Sequence, residues 1–442
     1  MDNEASGKNR GSGFSRRDFI KTSATGVAAV MAGKNIIFAG PAERKMKVAL
    51  LGCGGRGRDA LGNCIEASRQ IEGLELEVVA TADWFSNSAE TEGQKYNVPA
   101  SRCFAGADAY KKLMETDAEL VIMATPPNFR PLHFEAAIKA GKHVFMEKPV
   151  AVDPPGARKV IESGELAKTK GLGIVAGTQR RHQTVYRRSQ YAVEHGAIGE
   201  IRGGCIWWCQ GELWYRNREP NESDADYMVR NWVSFTEMSG DHIVEQHVHN
   251  IDVANWFIGH PPLRANGFGG RARRKTGNQF DFHSVQFDYA DDLYIHSMCR
   301  QINGTYSRVS EHFIGSEGST FGDGSNMKTD KQVDVPDFPG HMDPYVQEHV
   351  DLLNSILAEE PLNETRNVAE STLTGIMGRI ATYSGQIIRW SDLTENEDSQ
   401  WYNLILKPTA ADFETCEVVA PPDDVVPVPG RERQQRGRRG RG

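Results

Sequence analysis

The chain has 442 residues, enough for two domains with sizeable cores. Its composition is that of an ordinary globular protein, and a formal net charge of −8 gives no electrostatic basis for binding nucleic acid. Seven scattered cysteines form no Cys-x-x-Cys pair, so neither a zinc knuckle nor a disulfide scaffold is expected and buried thiols are.

Residues 15–21 read Ser-Arg-Arg-Asp-Phe-Ile-Lys, followed over 22–33 by a mildly apolar stretch rich in Ala, Gly and Thr. That stretch is too short and too weakly apolar to form a stable membrane span. The pattern resembles a twin-arginine signal occupying residues 1–40, with cleavage near 38–40. It implies export, to the periplasm, by the twin-arginine machinery. The alternative is a chance Arg-Arg pair in an unstructured N-terminus.

An apolar run at 47–51 predicts a buried parallel strand, and residues 58–66 predict a helix. Between them stands Gly52-Cys-Gly54-Gly55-Arg56-Gly57. Gly52 permits the tight turn, Gly54 lets the backbone approach a pyrophosphate, and Gly57 lets helix and strand pack closely. The alternative is a glycine-rich loop with no ligand. A second strand over 76–81 leads to Asp83, whose carboxylate can accept both ribose hydroxyls of an adenosine and repel a 2′-phosphate, favouring NAD over NADP. Asp83 can equally cap a helix predicted over 84–96. The strand predicted at 120–124 runs into the rigid turn Thr125-Pro126-Pro127-Asn128, a helix over 131–140 follows with Gly141 as its C-cap, and a strand at 143–146 ends in Glu147-Lys148-Pro149. These elements predict a dinucleotide-binding Rossmann domain over 46–178.

From 179 to 420 the pattern is that of an α+β domain with a large, mostly antiparallel open sheet. Helices are expected over 185–195, 346–357 and 372–388. Strands are expected over 201–210 and 308–314, with a hairpin over 282–289 and 293–299 turning at Asp291-Asp292. Trp207 and Trp208 point to opposite faces of their strand. The segment 211–239, rich in Trp, Tyr, Asn and acidic residues, is expected to be a loop insertion lining the cleft, a surface suited to sugars. A Pro-rich stretch and an Arg/Gly-rich tail over 421–442 are expected to be disordered.

The glycine fingerprint, the acidic end of the second strand, the Thr-Pro-Pro-Asn turn and Glu147-Lys148-Pro149 together resemble the Gfo/Idh/MocA oxidoreductases over about residues 46–390. The resemblance implies an NAD-dependent enzyme acting on the CH–OH groups of a carbohydrate or cyclitol, with homo-oligomers formed through the C-terminal sheet. It implies cofactor contacts from the glycine loop, including Gly55 and Arg56, and from Thr125, Pro126, Asn128, Glu147 and Lys148. Lys148 would lie beside the nicotinamide and the reacting hydroxyl, where a lysine can polarise the oxygen and relay its proton; the alternative is a surface lysine in a turn. A second family signature matches Glu245-x-x-x-His249-x-x-Asp252. Spacings of four and three put the three side chains on one face of a single helix. The resemblance makes His249 the acid/base and Asp252 its orienting partner or a substrate ligand, with Glu245, where many relatives carry Asp, also facing substrate. Arg181, after the last strand of the first domain, would bind a substrate oxygen, assisted by His182, while Arg180 is read as solvated.

A metal reading competes, because His242, Glu245, His249 and Asp252 share that helical face. Four ligands spread over about 15 Å of a straight helix cannot converge on one ion, so no metal is assigned, although two or three could bind one if another element supplied the rest. Polar residues in a helix wall are a further alternative. An exported enzyme cannot easily exchange NADH with the cytoplasm, so a retained cofactor and a closed redox cycle are expected. Two such outcomes are sugar-to-sugar hydride transfer and a glycosidase or lyase working by transient oxidation. A non-catalytic sugar-binding relative of the same fold is the remaining reading.

Overall fold

The computed structural model describes residues 44–290, 292–423 and 425. The proposed signal at 1–40, Asp291 of the hairpin turn and residues 426–442 of the tail lie outside the described residues. No described helix is long and apolar enough to cross a membrane.

The first sheet is made of β1 (Arg44–Leu51), β2 (Leu74–Asp83), β3 (Cys103–Ala105), β4 (Leu120–Met123), β5 (His143–Met146) and β6 (Ile174–Ala176), all parallel, in the order β3-β2-β1-β4-β5-β6. The intervening helices are α1 (Gly55–Arg69), α2 (Ser86–Lys95), α3 (Ala109–Met114), α4 (Arg130–Lys139) and α5 (Pro154–Thr169). Helices cover both faces, so the central strands are apolar almost without a break: Val48, Ala49, Leu50 and all four residues of β4 are fully buried. The register fixes the site. Leu51 pairs with Ala82 and Met123, Met123 with Met146, and Met146 with Ala176. Gly52, Asp83, Thr125, Glu147 and Gly177 therefore fall on one rim at the carboxyl ends of the strands, where such sheets bind ligands.

The second sheet contains β7 (Ile201–Gln210), β8 (Arg264–Gly270), β9 (Phe282–Asp288), β10 (Tyr294–Gln301), β11 (Arg308–Gly315), β12 (Gly318–Phe321), β13 (Lys328–Thr329) and β14 (Ile388–Arg389), in the order β13-β12-β11-β7-β10-β9-β8-β14. Only β7 and β10 pair in parallel. The helices that accompany it are α6 (Thr184–Glu194), α7 (Asp224–Arg230), α8 (Thr236–Ser239), α9 (His242–Glu245), α10 (Val248–Ile258), α11 (Pro344–Leu357) and α12 (Thr365–Ser384). One sheet face packs Ile206, Val285, Phe287, Ile295 and Phe313 against Ile243, Val244, Ile251 and the apolar residues of α12. Trp208 packs on that side, while Trp207 lies beneath the Arg308 guanidinium. Phe268, Tyr294, Tyr306 and Ile314, on or beside the sheet, remain exposed.

The expected elements are modified at four points. The segment 211–239 is not a plain loop: α7 and α8 bury Tyr227, Met228, Val229, Phe235 and Met238 in a small core with Phe129 and Phe413. Tyr227 and Phe235 are core residues, while Trp214 remains exposed. The single helix expected over 242–252 is two helices, because His247 N–H bonds back five residues to the His242 carbonyl and interrupts the ladder. The helix expected over 372–388 begins at Thr365 and stops at Gly385, whose φ of +65° turns the chain into β14. Finally, Val346, Leu352, Leu353 and Ile356 of α11 belong to the core beneath β1 and α1, with Met46, Val48, Leu50 and Leu61. The chain thus returns to the first sheet long after leaving it.

Candidate functional site

The glycine loop is shaped as the fingerprint requires. Gly52 has φ +97°, a conformation side chains resist. A Cβ on Gly57 would lie 1.8 Å from the Gly52 carbonyl oxygen, so only glycine lets α1 approach the turn. Added Cβ atoms on Gly54 or Gly55 would meet no atom within 4 Å, so the loop is open where a ligand would approach. Gly54 is the N-cap of α1 and brings no side chain to the first-turn N–H groups. Those donors and the helix dipole suit a pyrophosphate. Asp83 Oδ2 accepts from Cys53 N–H at 2.7 Å and Oδ1 from Phe85 N–H at 2.9 Å. It thus ties the loop to the end of β2 and still has a lone pair on each oxygen for ribose hydroxyls. The N-cap of α2 is Phe85, not Asp83. Burial pushes the Asp83 carboxyl up, and the backbone donors offset this.

The other expected cofactor residues are engaged with one another. Arg56 Nε bonds Glu147 Oε1 at 2.5 Å, and its Nη2 lies 3.5 Å from Glu348 Oε1 on α11. Its guanidinium also sits over the Tyr345 ring. Burial, then the nearby Glu147 charge, pushes the Glu348 carboxyl well up. Thr125 Oγ1 meets His133 Nδ1 at 3.2 Å, and Pro126 offers its carbonyl to Phe129 N–H. Asn128 Nδ2 donates to the carbonyls of Glu237 and Pro408, which fastens this turn to the second domain.

Across the cleft, Lys148 is 12% exposed at its side chain and donates to the Glu245 carbonyl at 2.7 Å and to Glu245 Oε1 at 3.2 Å. An ammonium has three protons, so one is left for a substrate oxygen. His249 is buried, with its ring stacked on Trp208 at 5.5 Å between centroids. Burial, then the charges of Lys148, Arg180 and Arg56, hold its pKa well below the ordinary 6.5. The neutral ring can therefore accept a proton at physiological pH.

Asp252 differs from expectation. Its carboxylate takes a two-pronged bond from Arg181 at 2.8 and 2.9 Å and a third from Ser371 Oγ at 2.8 Å. Among the described residues it makes no hydrogen bond to His249. His249 and Asp252 stay on one helix, α10, but the Asp252 oxygens are taken by Arg181 and Ser371; the break between α9 and α10 separates only Glu245 from their helix. Arg181, expected to meet substrate, is committed to Asp252. His182 is also set back, held between Asp351 at 2.7 Å and Glu364 at 3.1 Å, which keep its pKa well above the ordinary value despite burial.

Arg180 points inward instead of being solvated. It bonds Glu311 at 2.5 Å and lies near Trp208, while Tyr186 and Asn250 also donate to Glu311. Burial pushes the Glu311 carboxyl up. Glu311 and Glu348 were not singled out from sequence, and Arg180 and Trp208 were given no site role there. A usable signal existed for Glu348, a charge four residues before the buried Leu352 on the apolar stripe of α11.

Comparison with known proteins agrees with this fold. A family profile described as an oxidoreductase family with an NAD-binding Rossmann fold (GFO_IDH_MocA) matches residues 46–177, and the GFO/IDH/MocA C-terminal domain matches 186–321. An inositol 2-dehydrogenase of Rhizobium meliloti is 24% identical over 279 residues, 62% of this chain and 74% of the relative. A 2,7-anhydro-N-acetylneuraminate hydratase of Mediterraneibacter gnavus is 26% identical over 184 residues, 40% of this chain and 44% of the relative. A solved levoglucosan dehydrogenase, in complex with NADH and levoglucosan, superposes with a TM-score of 0.61 at 15% identity, covering 78% of this chain and 99% of that one.

Proposed function

Because the chain belongs to the Gfo/Idh/MocA family of NAD-binding oxidoreductases, we propose that it moves hydride between NAD and a hydroxyl-bearing carbon of a sugar or cyclitol. The observation that carries this reading is a lysine with a spare ammonium proton at the rim of the first sheet, close enough for its charge to act on a buried neutral histidine of α10. The open glycine loop and Asp83 fit NAD, which when bound supplies the hydride acceptor or donor. Lys148 would hold the substrate oxygen, and His249 would take or return the hydroxyl proton. Glu245 positions the Lys148 ammonium through its carbonyl and carboxylate. The Arg180–Glu311 pair and the Trp208 face offer polar and apolar contacts to the substrate's remaining hydroxyl and C–H groups.

A closed redox cycle is the second part of the proposal. A hydratase among the relatives favours a redox-neutral outcome, by transient oxidation and re-reduction, beside simple dehydrogenation. Export by the twin-arginine machinery is proposed from Arg16 and Arg17 and the apolar stretch after them. The route carries folded proteins, so NAD could be loaded before export. Homo-oligomers would form through the second sheet, whose outer side carries exposed Phe268 and Tyr294. The deciding experiment is mass spectrometry of small molecules retained by the purified native protein, then a sugar and cyclitol screen followed at the NADH absorbance. Retention of NAD(H) with turnover lost in Lys148→Ala supports an enzyme. Undiminished turnover in both Lys148→Ala and His249→Ala would remove the catalytic assignment and leave a binding protein.

A further inference from the structure

The residues first weighed as a metal set are dispersed: Glu245 holds Lys148, His249 lies on Trp208, and Asp252 holds Arg181. His242 instead joins a different group behind the site. Asp241, His242 and His283 are all buried, with one ligand atom from each lying within 4.8 Å of the others. His242 Nδ1 is 2.9 Å, and His283 Nε2 is 3.3 Å, from Asp241 Oδ1.

Both ring nitrogens approach an oxygen that already accepts from the His242 backbone N–H at 2.5 Å, and neither ring contact is aligned as a good hydrogen bond. Neither His242 Nδ1 nor His283 Nε2 has a hydrogen-bond partner among the described residues, because an N–H there would not aim at the carboxylate; His242 Nε2 has none either. The other side of His283 explains its state. Thr382 Oγ1 donates its proton to the Arg379 carbonyl at 2.9 Å, so it can only accept from His283 Nδ1, also at 2.9 Å. Nε2 of a neutral ring then presents a lone pair toward Asp241. Electron-rich atoms packed this closely in a dry site repel unless a cation lies among them. The Arg379 guanidinium adds positive charge nearby but makes no hydrogen bond to Asp241: its Nη1 donates to the carbonyls of Val152 and Gly240, and its buried Nη2 has no hydrogen-bond partner among the described residues.

We propose that Asp241, His242 and His283 bind a divalent ion of the zinc class. Two imidazoles and one carboxylate are a fitting set. Ligand atoms around such an ion stand about 3.3 Å apart when bonds are about 2.0–2.1 Å, close to the two spacings to Asp241 Oδ1 and inside the 4.8 Å that spans the whole set. The outer partners are those a metal site needs: Thr382 fixes the His283 tautomer, and Tyr383 O–H holds Asp241 Oδ2 at 2.6 Å. Asp241 has φ +76°, unusual outside glycine, and this turns its carboxylate toward the two rings. The ion has a structural place. It clamps the turn from Gly240 into α9 onto β9, and α9 ends in Glu245, which holds Lys148. Any effect on turnover rests on the Lys148 reading; ion binding does not.

The test uses the full chain. Protein purified without a metal-affinity tag is analysed for metal, stripped with a chelator, and titrated with Zn²⁺ and with Co²⁺. We expect about one ion per chain, a lower melting temperature after stripping that Zn²⁺ restores, and visible Co²⁺ bands of low-coordinate geometry. Asp241→Asn and His283→Gln, close in volume to the native residues, should lose the ion and the Zn²⁺-dependent melting shift, while NAD titration reports that each remains folded. Metal-free native protein whose melting ignores Zn²⁺, or variants that bind Zn²⁺ like the wild type, would overturn the site. Loss of metal with catalytic lysine and histidine variants still active would leave the site standing and remove only the functional reading.

Discussion

Two alanine substitutions in the glycine loop should separate packing from ligand approach. In Gly57→Ala the methyl starts 1.8 Å from the Gly52 carbonyl oxygen, 3.0 Å from its carbon and 3.3 Å from Ala124 Cβ. All of these are backbone or tightly packed atoms, so α1 must withdraw by about 1.2 Å before the nearest approach reaches 3 Å. Overpacking of this kind costs about 1–3 kcal/mol, a fall of about 2–12 °C in melting temperature for a domain of this size. The first-turn N–H groups move with the helix, and a misplacement of about 1 Å costs on the order of 100-fold in function. In Gly54→Ala the methyl meets nothing within 4 Å, and φ is −69°. Apo stability should hold or rise by about 0.4–1 kcal/mol, while NAD affinity falls because the methyl points where the pyrophosphate must approach. Thermal unfolding of NAD-stripped protein and NAD titration by calorimetry give the two readouts. Wild-type melting in Gly57→Ala, or wild-type NAD affinity in Gly54→Ala, would refute this geometry.

Lys148→Ala and His249→Ala should each slow turnover by roughly 10²–10⁴-fold with NAD affinity kept, as steady-state kinetics and cofactor titration can show. Asp83 should make the apo protein bind NAD more tightly than NADP, and Asp83→Ser should narrow the gap; a wild-type preference for NADP would reverse the assignment. Arg181→Met leaves the nearly buried Asp252 carboxylate without its main partner and should cost about 3–5 kcal/mol of stability in chemical denaturation. An effect confined to KM would instead restore Arg181 as a substrate ligand. Burial, then the Arg130 charge, pushes His133 down to about 3, against 6.5 when unfolded. The unfolded chain therefore binds the proton first, and stability falls as pH drops through the window from 6.5 to 3, by up to about 1.4 kcal/mol per pH unit from this group. His133→Gln should flatten that acid limb, and an unchanged limb would show that His133 does not supply it.

The first sheet was legible because parallel strands covered on both faces are short apolar runs, and each ended in a residue type that chemistry could interpret. The rim of Gly52, Asp83, Thr125 and Glu147 follows from strand order alone. The second half was harder. Segment 211–239 looked polar, yet α7 and α8 bury its apolar residues at spacings too short to show a clear period. The face shared by Glu245, His249 and Asp252 was an inference from regular helical spacing, and one five-residue hydrogen bond at His247 put Glu245 on a separate helix from the other two. Arg181 was read as facing the cleft from the family resemblance and Arg180 as solvated; the tight turn Gln179–Arg181 sends Arg180 to Glu311 and Arg181 to Asp252. The Asp241–His283 approach spans 42 positions and comes from sheet packing, which no local pattern encodes.

Helix α11 beneath the first sheet has a consequence for synthesis. Once residue 178 has left the ribosome, every strand of the nucleotide half exists, but one of its apolar faces lacks Val346, Leu352, Leu353 and Ile356. At about 5–20 residues per second, roughly 10–35 s pass before that cover emerges. During this interval the nascent chain leaves that apolar face uncovered, the kind of exposed surface on which chains aggregate. A gene fragment stopping near residue 178 would make that exposure permanent, so soluble expression of the nucleotide half requires α11 to be supplied, in cis by grafting or in trans as a separate peptide.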